Sequence, residues 1–312
     1  GATFNPDLIF EVATVISTEA RARWNELDRG EKQKNWYTDL LTFWSPTVNM
    51  ARDPRWGRTA ETYGEDPYLS SRIGVSFVKG LQGNHEKYLK AVSTPKHFVA
   101  NNTEFDRATA NSIVSERTLR EYYLPVYKAL ITEGKAEAIM ASYNAVNFVP
   151  VSGNRWLLTD LLRKEWGFKG YVVGDCGAPG QMASHHNFVP NKAAAVAASL
   201  KAGLDLECSG GQYIMRDHLV EALNKGMITE DEVNFAVSNV LRARFKLGFF
   251  DPLEANPYNA ISPEIVGSKA HQELALKTAL EATVLLKNEN NLLPLDINKV
   301  KSIAVVGHNA QQ

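Results

Sequence analysis

Asp175 closes the apolar run Tyr171-Val172-Val173-Gly174. A run of that kind reads as a buried strand, which would set the Asp175 carboxylate at the strand's carboxyl end, where barrel enzymes keep their reacting groups. A carboxylate so placed suits nucleophilic attack on an anomeric carbon, giving a covalent glycosyl-enzyme that water then resolves. The same residue suits a helix N-cap or a salt bridge equally well. Four basic side chains fall in short motifs: Arg58 in R-D-P-R-W-G-R, Lys96 and His97 in P-K-H-F, and Arg107 in F-D-R. Such groups donate charge-assisted hydrogen bonds to sugar hydroxyls, and their charge would hold a neighbouring carboxylate ionised. Taken singly, each reads as a solvated or ion-paired surface residue. Lys96 and His97 also raise a geometric objection, because adjacent residues on a strand face opposite sides. Both reach one sugar only where the backbone is irregular.

The elements that must position these groups alternate. Short apolar runs at 41–49, 92–98, 138–143, 170–174 and 204–207 read as strands, and amphipathic helical patterns lie between them. Repeated βα units of this kind build a parallel sheet. Ser115 can cap a helix that runs through Glu133 and stops at Gly134, with Pro125 as an interior kink. Asn191 can cap another that stops at Gly203, and Thr229 with Glu232 forms a capping box whose helix ends at Gly248. The fold class is therefore α/β, with residues 1–250 as a TIM-like (β/α)8 barrel. Five strands are too few for eight units, so the first units are expected to precede Gly1. No leader-like segment opens the chain, and its start is expected to be an internal cut or a processed end. Residues 251–298 read as a linker and a helix at about 268–286, and 299–312 as the start of a truncated α/β sandwich domain with a buried strand at 299–307.

Composition excludes several classes. The 312 residues carry 34 Lys and Arg against 35 Asp and Glu, so the electrostatic footprint of a nucleic-acid binder is missing. No apolar run reaches membrane length, so no membrane span is expected. The 7 His residues show no ligand spacing, so no metal and no cofactor is expected. Adjacent His185 and His186 read as loop residues over the mouth of the site. Cys176 and Cys208, taken alone, read as inert buried thiols.

Segments 45–67 (S-P-T-V-N-M-A-R-D-P-R-W-G-R-T-A-E-T-Y-G-E-D-P), 96–107 (K-H-F-V-A-N-N-T-E-F-D-R), 140–147 (M-A-S-Y-N-A-V-N) and 170–177 (G-Y-V-V-G-D-C-G) resemble, in that order, those of glycoside hydrolase family 3. The resemblance extends to 285–295 (L-L-K-N-E-N-N-L-L-P-L), which is similar to the entry to that family's second domain. It implies that Asp175 is the nucleophile, that Arg58, Lys96, His97 and Arg107 grip the non-reducing terminal sugar, and that Met140 and Tyr143 line the same subsite, with the Tyr143 hydroxyl near the nucleophile. It also implies a cis peptide between Lys96 and His97, which would answer the geometric objection. Gly174 stands where the family more often has Ser, which leaves the strand register unchanged.

Cys176 stands where glucosidase members usually place a Trp. In the β-xylosidase branch a Cys follows the nucleophile and a second lies at the end of the next strand, the place Cys208 takes here in G-L-D-L-E-C. The resemblance thus implies a Cys176–Cys208 disulfide, which would occupy the space of a C6 hydroxymethyl and favour a pentose. A stable disulfide belongs to an oxidising compartment, so a periplasmic or secreted location is expected. The expected function is that of an exo-acting retaining β-glycosidase, a β-D-xylosidase cleaving oligosaccharides or aryl glycosides. A β-glucosidase and a noncatalytic carbohydrate-binding fragment are the alternatives. The β-N-acetylglucosaminidase branch is disfavoured, because F-V-A-N-N follows Lys96-His97 in place of the P-G-H-G-D pattern that supplies that branch's acid. Retention needs a second carboxyl group. No Glu in 1–312 is nominated for it; in the family that Glu comes from the second domain, expected on the same or a companion chain.

Overall fold

The computed structural model of the chain describes residues 1–27, 41–208, 213–308 and 310. Five short strands follow one another in space as in sequence: β1 (Thr42–Phe43), β2 (Val92–Ser93), β3 (Ala138–Ala141), β4 (Tyr171–Gly174) and β5 (Leu206–Glu207). β1 pairs parallel with β2, β3 with β4, and β4 with β5, in a register that sets Ala138 opposite Tyr171 and Val173 opposite Leu206. The parallel bridge Thr47–Lys96 extends the first pair, and Phe98–Ala141 joins it to β3. Among the described residues no strand links β5 back to β1, so the layer is parallel and open. Both of its faces are buried. Val92, Ala138, Met140, Tyr171 and Val173 pack with Leu41, Ala243 and Leu247 on one side, while Ile139, Ala141 and Val172 pack among Leu130, Leu157 and Leu161 on the other. This explains the continuous apolar runs in place of an alternating pattern.

The strands are shorter than the runs that announced them. Regular pairing in β2 stops at Ser93, and the chain then passes through cis peptides at Lys96–His97 and Phe98–Val99. A third cis bond, Ser45–Pro46, follows β1.

The helices are α1 (Pro6–Glu26), α2 (Pro67–Gln82), α3 (116–132), α4 (Trp156–Glu165), α5 (Ala178–Ser184), α6 (Lys192–Ala202), α7 (Ile214–Asn224), α8 (Glu230–Lys246) and α9 (Lys269–Ala282). Their ends follow side-chain chemistry. Ser115 accepts the Thr118 N–H, Asn191 accepts that of Ala194, and Thr229 with Glu232 forms the capping box. Gly203 closes α6 at φ 106°. Pro125 has no N–H to give the preceding turn, and α3 widens to π geometry over Leu119–Tyr123 just before it. At the end of α3 the left-handed residue is Lys135, φ 57°, and not Gly134. Glycine is needed at 134 because a Cβ there would stand 2.7 Å from the Leu130 carbonyl oxygen.

Two expectations for the tail are corrected. α9 ends at Ala282, four residues early, with Thr283 already extended. The segment 299–307 forms no strand, because no described residue lies alongside to take its hydrogen bonds, and Ile303, Val305 and Val306 stay exposed. No helix among the described residues is long and apolar enough to cross a membrane.

Candidate active site

β4 ends at Gly174, and the next residue's N–H still donates to Ala141 of β3 at 2.9 Å, so Asp175 leaves the layer at its carboxyl end. Gly174 sits tight against the following helix: a Cβ there would lie 2.9 Å from Pro179. Asp175 is 9% exposed. Its Oδ1 accepts the Cys176 N–H at 2.8 Å, and its Oδ2 stands 3.6 Å from Nε2 of His97. The Tyr143 hydroxyl donates to the Cys176 carbonyl at 2.9 Å and lies against the Asp175 carboxylate. Burial, together with that carboxylate, pushes the Tyr143 phenol up to about 12, so it is a donor at neutral pH.

His97 is fixed from behind. Asn49 Oδ1 accepts its N–H at 2.8 Å and its Nδ1–H at 3.1 Å, while its carbonyl receives Tyr127 Oη at 2.7 Å. With Nδ1 carrying the proton, the Nε2 lone pair is left to accept from Arg58 Nη1 at 3.1 Å. Burial, and then the charges of Arg58, Lys96 and Arg107, depress the His97 pKa to about 2. The ring is therefore neutral, and its approach to Asp175 is not an ion pair.

Two of the three cations, Arg58 and Arg107, are paired with carboxylates. Arg58 donates Nε and Nη2 to Glu61, both at 2.8 Å, and this bond raises its pKa while lowering that of Glu61. Glu61 also receives the Thr47 hydroxyl at 3.3 Å. Arg107 donates to Glu104 at 2.9 Å and lies 4.7 Å from the centre of the Tyr143 ring. Glu104 in turn accepts the Trp56 indole N–H at 3.2 Å. Lys96 feels Arg58, Glu61 and Asp175, and burial lowers its pKa.

Sequence reasoning expected these cations to decide the charge state of Asp175. In the structure burial is the larger influence and raises the Asp175 pKa, against the opposing pull of the Cys176 N–H, Tyr143, Arg107 and Lys96.

The structure thus brings Asp175, Arg58, Lys96, His97, Arg107 and Tyr143 into one electrostatic cluster. Met140 is 1% exposed and packs with Val92, Tyr171 and Val173 in the interior beneath. Cys176 is joined to Cys208 by a disulfide with a Cα–Cα separation of 4.3 Å, and the Gly177 N–H donates to the Cys208 carbonyl at 2.8 Å. Of the two adjacent histidines, His185 is exposed at the end of α5, whereas Nε2 of His186 meets the Tyr143 carbonyl at 2.9 Å. Glu61 and Glu104 were not singled out from sequence, although each lies three residues from its arginine, the spacing of a local ion pair. Asn49 carried no such signal.

A cluster of this composition can hold a neutral polyhydroxylated ring by charge-assisted hydrogen bonds against a largely desolvated carboxylate. The profile of the Glycosyl hydrolase family 3 N terminal domain matches residues 1–243. The chain is 40% identical over 315 aligned residues to a probable exo-1,4-beta-xylosidase of Aspergillus flavus, covering 98% of this chain and 38% of that protein. It is likewise 40% identical to a xylan 1,4-beta-xylosidase of Xylanibacter ruminicola, covering 99% of this chain and 36% of that protein. Among solved structures, a family 3 exo-beta-xylosidase in complex with a xylobiose aziridine probe superimposes with a TM-score of 0.85 at 32% identity, over 95% of this chain and 38% of its own. A beta-glucosidase from Erythrobacter marinus gives a TM-score of 0.82 at 32% identity, over 94% of this chain and 37% of its own. The chain spans little more than a third of the length of these relatives.

Proposed function

Because the chain belongs to glycosyl hydrolase family 3, we propose that it is the nucleophile-bearing part of an exo-acting retaining β-glycosidase, most specifically a β-D-xylosidase that releases terminal xylose. The observation that carries this reading is the Asp175 carboxylate beyond the end of β4, with Tyr143, His97, Arg58, Lys96 and Arg107 gathered around it. In this reading the open parallel layer is part of a TIM-like barrel. Asp175 attacks the anomeric carbon while the basic groups and neutral His97 hold the ring hydroxyls, and a glycosyl ester on Asp175 awaits water. The carboxyl group that protonates the leaving oxygen, set about 5–5.5 Å from the nucleophile in retaining enzymes, comes from a second domain of the same or a companion chain.

The Cys176–Cys208 disulfide beside the nucleophile supports a pentose over a hexose, by filling the space of a hydroxymethyl. Such exclusion is worth about 1–3 kcal/mol, so weak activity on glucosides is expected. The solved glucosidases that resemble this chain keep a β-glucosidase as the second reading. The disulfide also supports export to the periplasm or exterior.

The full-length enzyme, incubated with an activated 2-fluoroxyloside, is expected to gain one glycosyl mass on the peptide that contains Asp175, since a good leaving group needs no acid. A folded enzyme that stays unlabelled would eliminate the nucleophile assignment. Faster hydrolysis of nitrophenyl glucoside than of nitrophenyl xyloside would overturn the choice of sugar.

A further inference from the structure

Two residues beyond the site, the chain makes a tight hairpin. Ala145–Val146 pairs antiparallel with Val149–Pro150, so Asn147 and Phe148 alone form the turn. Both are left-handed, with φ 49° and 71°. A two-residue turn of that hand favours Asn-Gly, because a side chain at the second position brings its Cβ against the backbone. Phe148 occupies that position with 76% of its surface exposed. The turn is also tied down. Asn147 Oδ1 accepts the Val114 N–H at 2.9 Å, its Nδ2 donates to the Val114 carbonyl at 2.8 Å, and Asn111 Oδ1 accepts the Phe148 N–H at 2.8 Å. An aromatic ring held in a strained conformation on a fixed backbone, with most of its surface open, adds little packing among the described residues, so what it meets lies beyond them.

We propose that Phe148 is a stacking platform for the leaving-group portion of an oligosaccharide substrate, beyond the sugar that is cleaved. This rests on the glycosidase reading above. The hairpin starts from Tyr143, whose hydroxyl touches the Asp175 carboxylate, and a step of five residues keeps the Phe148 Cα within about 18 Å of the Tyr143 Cα. Its first strand also pairs with Asn111–Ser112, four residues beyond Arg107, so the loops bearing two site residues brace the same turn. The immediate neighbours Asn147 and Asn111 are uncharged, as suits a neutral chain. A flat apolar ring accepts the C–H face of a sugar without fixing which hydroxyls it bears.

The test uses the full-length enzyme and Phe148→Gly. Glycine adopts the left-handed turn freely, so the melting temperature is expected at or above that of the parent. The ratio of kcat/KM for xylotetraose to that for nitrophenyl xyloside is expected to fall about two- to tenfold, the range of one aromatic contact, and to be restored in Phe148→Tyr. A ratio equal to the parent's, or a ratio not restored by tyrosine, overturns the proposal. If the parent prefers glucosides, the same ratio taken with cellotetraose and nitrophenyl glucoside decides the platform separately from the choice of sugar. A parent without glycosidase activity removes the enzyme reading and this inference with it.

Discussion

Burial works against the charge that Asp175 must carry to act as a nucleophile. A carboxyl whose folded pKa lies above its unfolded value holds its proton more tightly in the native state. Its contribution to stability is then greatest below the ordinary value of 3.8 and falls as pH rises through the raised native value. Asp175→Asn keeps the shape and the Cys176 N–H bond while removing the charge. The variant is expected to match the parent's unfolding free energy in acid and to exceed it at neutral pH, while hydrolysis drops by at least about 10³-fold. Urea unfolding across pH checks this, and a variant less stable than the parent at pH 7 would sink it. The residues that hold positive charge around Asp175 were legible in sequence, because arginine and lysine in short unusual motifs stand out. Their carboxylate partners were missed, although Glu61 and Glu104 each stand three residues from their arginine, because acids at that spacing from a basic residue are common on any surface. The neutrality of His97 was also hidden, because it depends on burial and on which ring nitrogen Asn49 engages.

The strand that presents Asp175 is pinned from below by Asp205, just before β5. Its Oδ2 accepts the Val172 N–H at 2.7 Å and pairs with Arg163 of α4, while Oδ1 accepts Asn239 Nδ2 of α8 at 2.9 Å. Arg163 reaches on to the carbonyls of Gly170 and Gly203, both at 3.1 Å. The two side chains are 1% and 10% exposed, so removing one leaves the other's charge buried without a counterpart. Asp205→Ala is expected to cost about 3–5 kcal/mol, read by denaturant unfolding of the full-length protein. A loss within about 0.5 kcal/mol, the range of surface changes, would contradict it. Helix ends were the most legible elements, because Ser115, Asn191 and Thr229 announce a cap by side chain alone. Strand lengths were not: in the run from Val92 to Phe98 most of the residues beyond Ser93 stay buried but leave regular pairing, and Pro95, which cannot donate to a ladder, was the one local sign that the strand would stop early. The 299–307 strand failed for a different reason. An apolar run states a preference for pairing, and pairing needs a neighbour that local sequence does not describe.

At the scale of the whole molecule, apolar surface is distributed as if more protein were meant to cover it. A cavity of about 460 Å³ lies between β1, β5 and α8, lined by Phe43, Trp44, Leu206, Val240, Leu247 and Phe249. Leu276 and Leu280 on α9, then Leu285, Leu286, Val305 and Val306, are each at least 61% exposed. Open strand edges beside such patches are pairing surfaces, and a net charge of −1 supplies little repulsion to keep copies apart. Residues 1–312 produced alone are therefore expected to brighten a hydrophobic dye and to associate with rising concentration in sedimentation. The longer polypeptide, in which this chain would be little more than a third of the length by comparison with its relatives, is expected to do neither. A dye-silent, monomeric 1–312 would mean that the tail folds back over the cavity and α9 by itself, and the proposed second domain would then have no apolar seat on this chain.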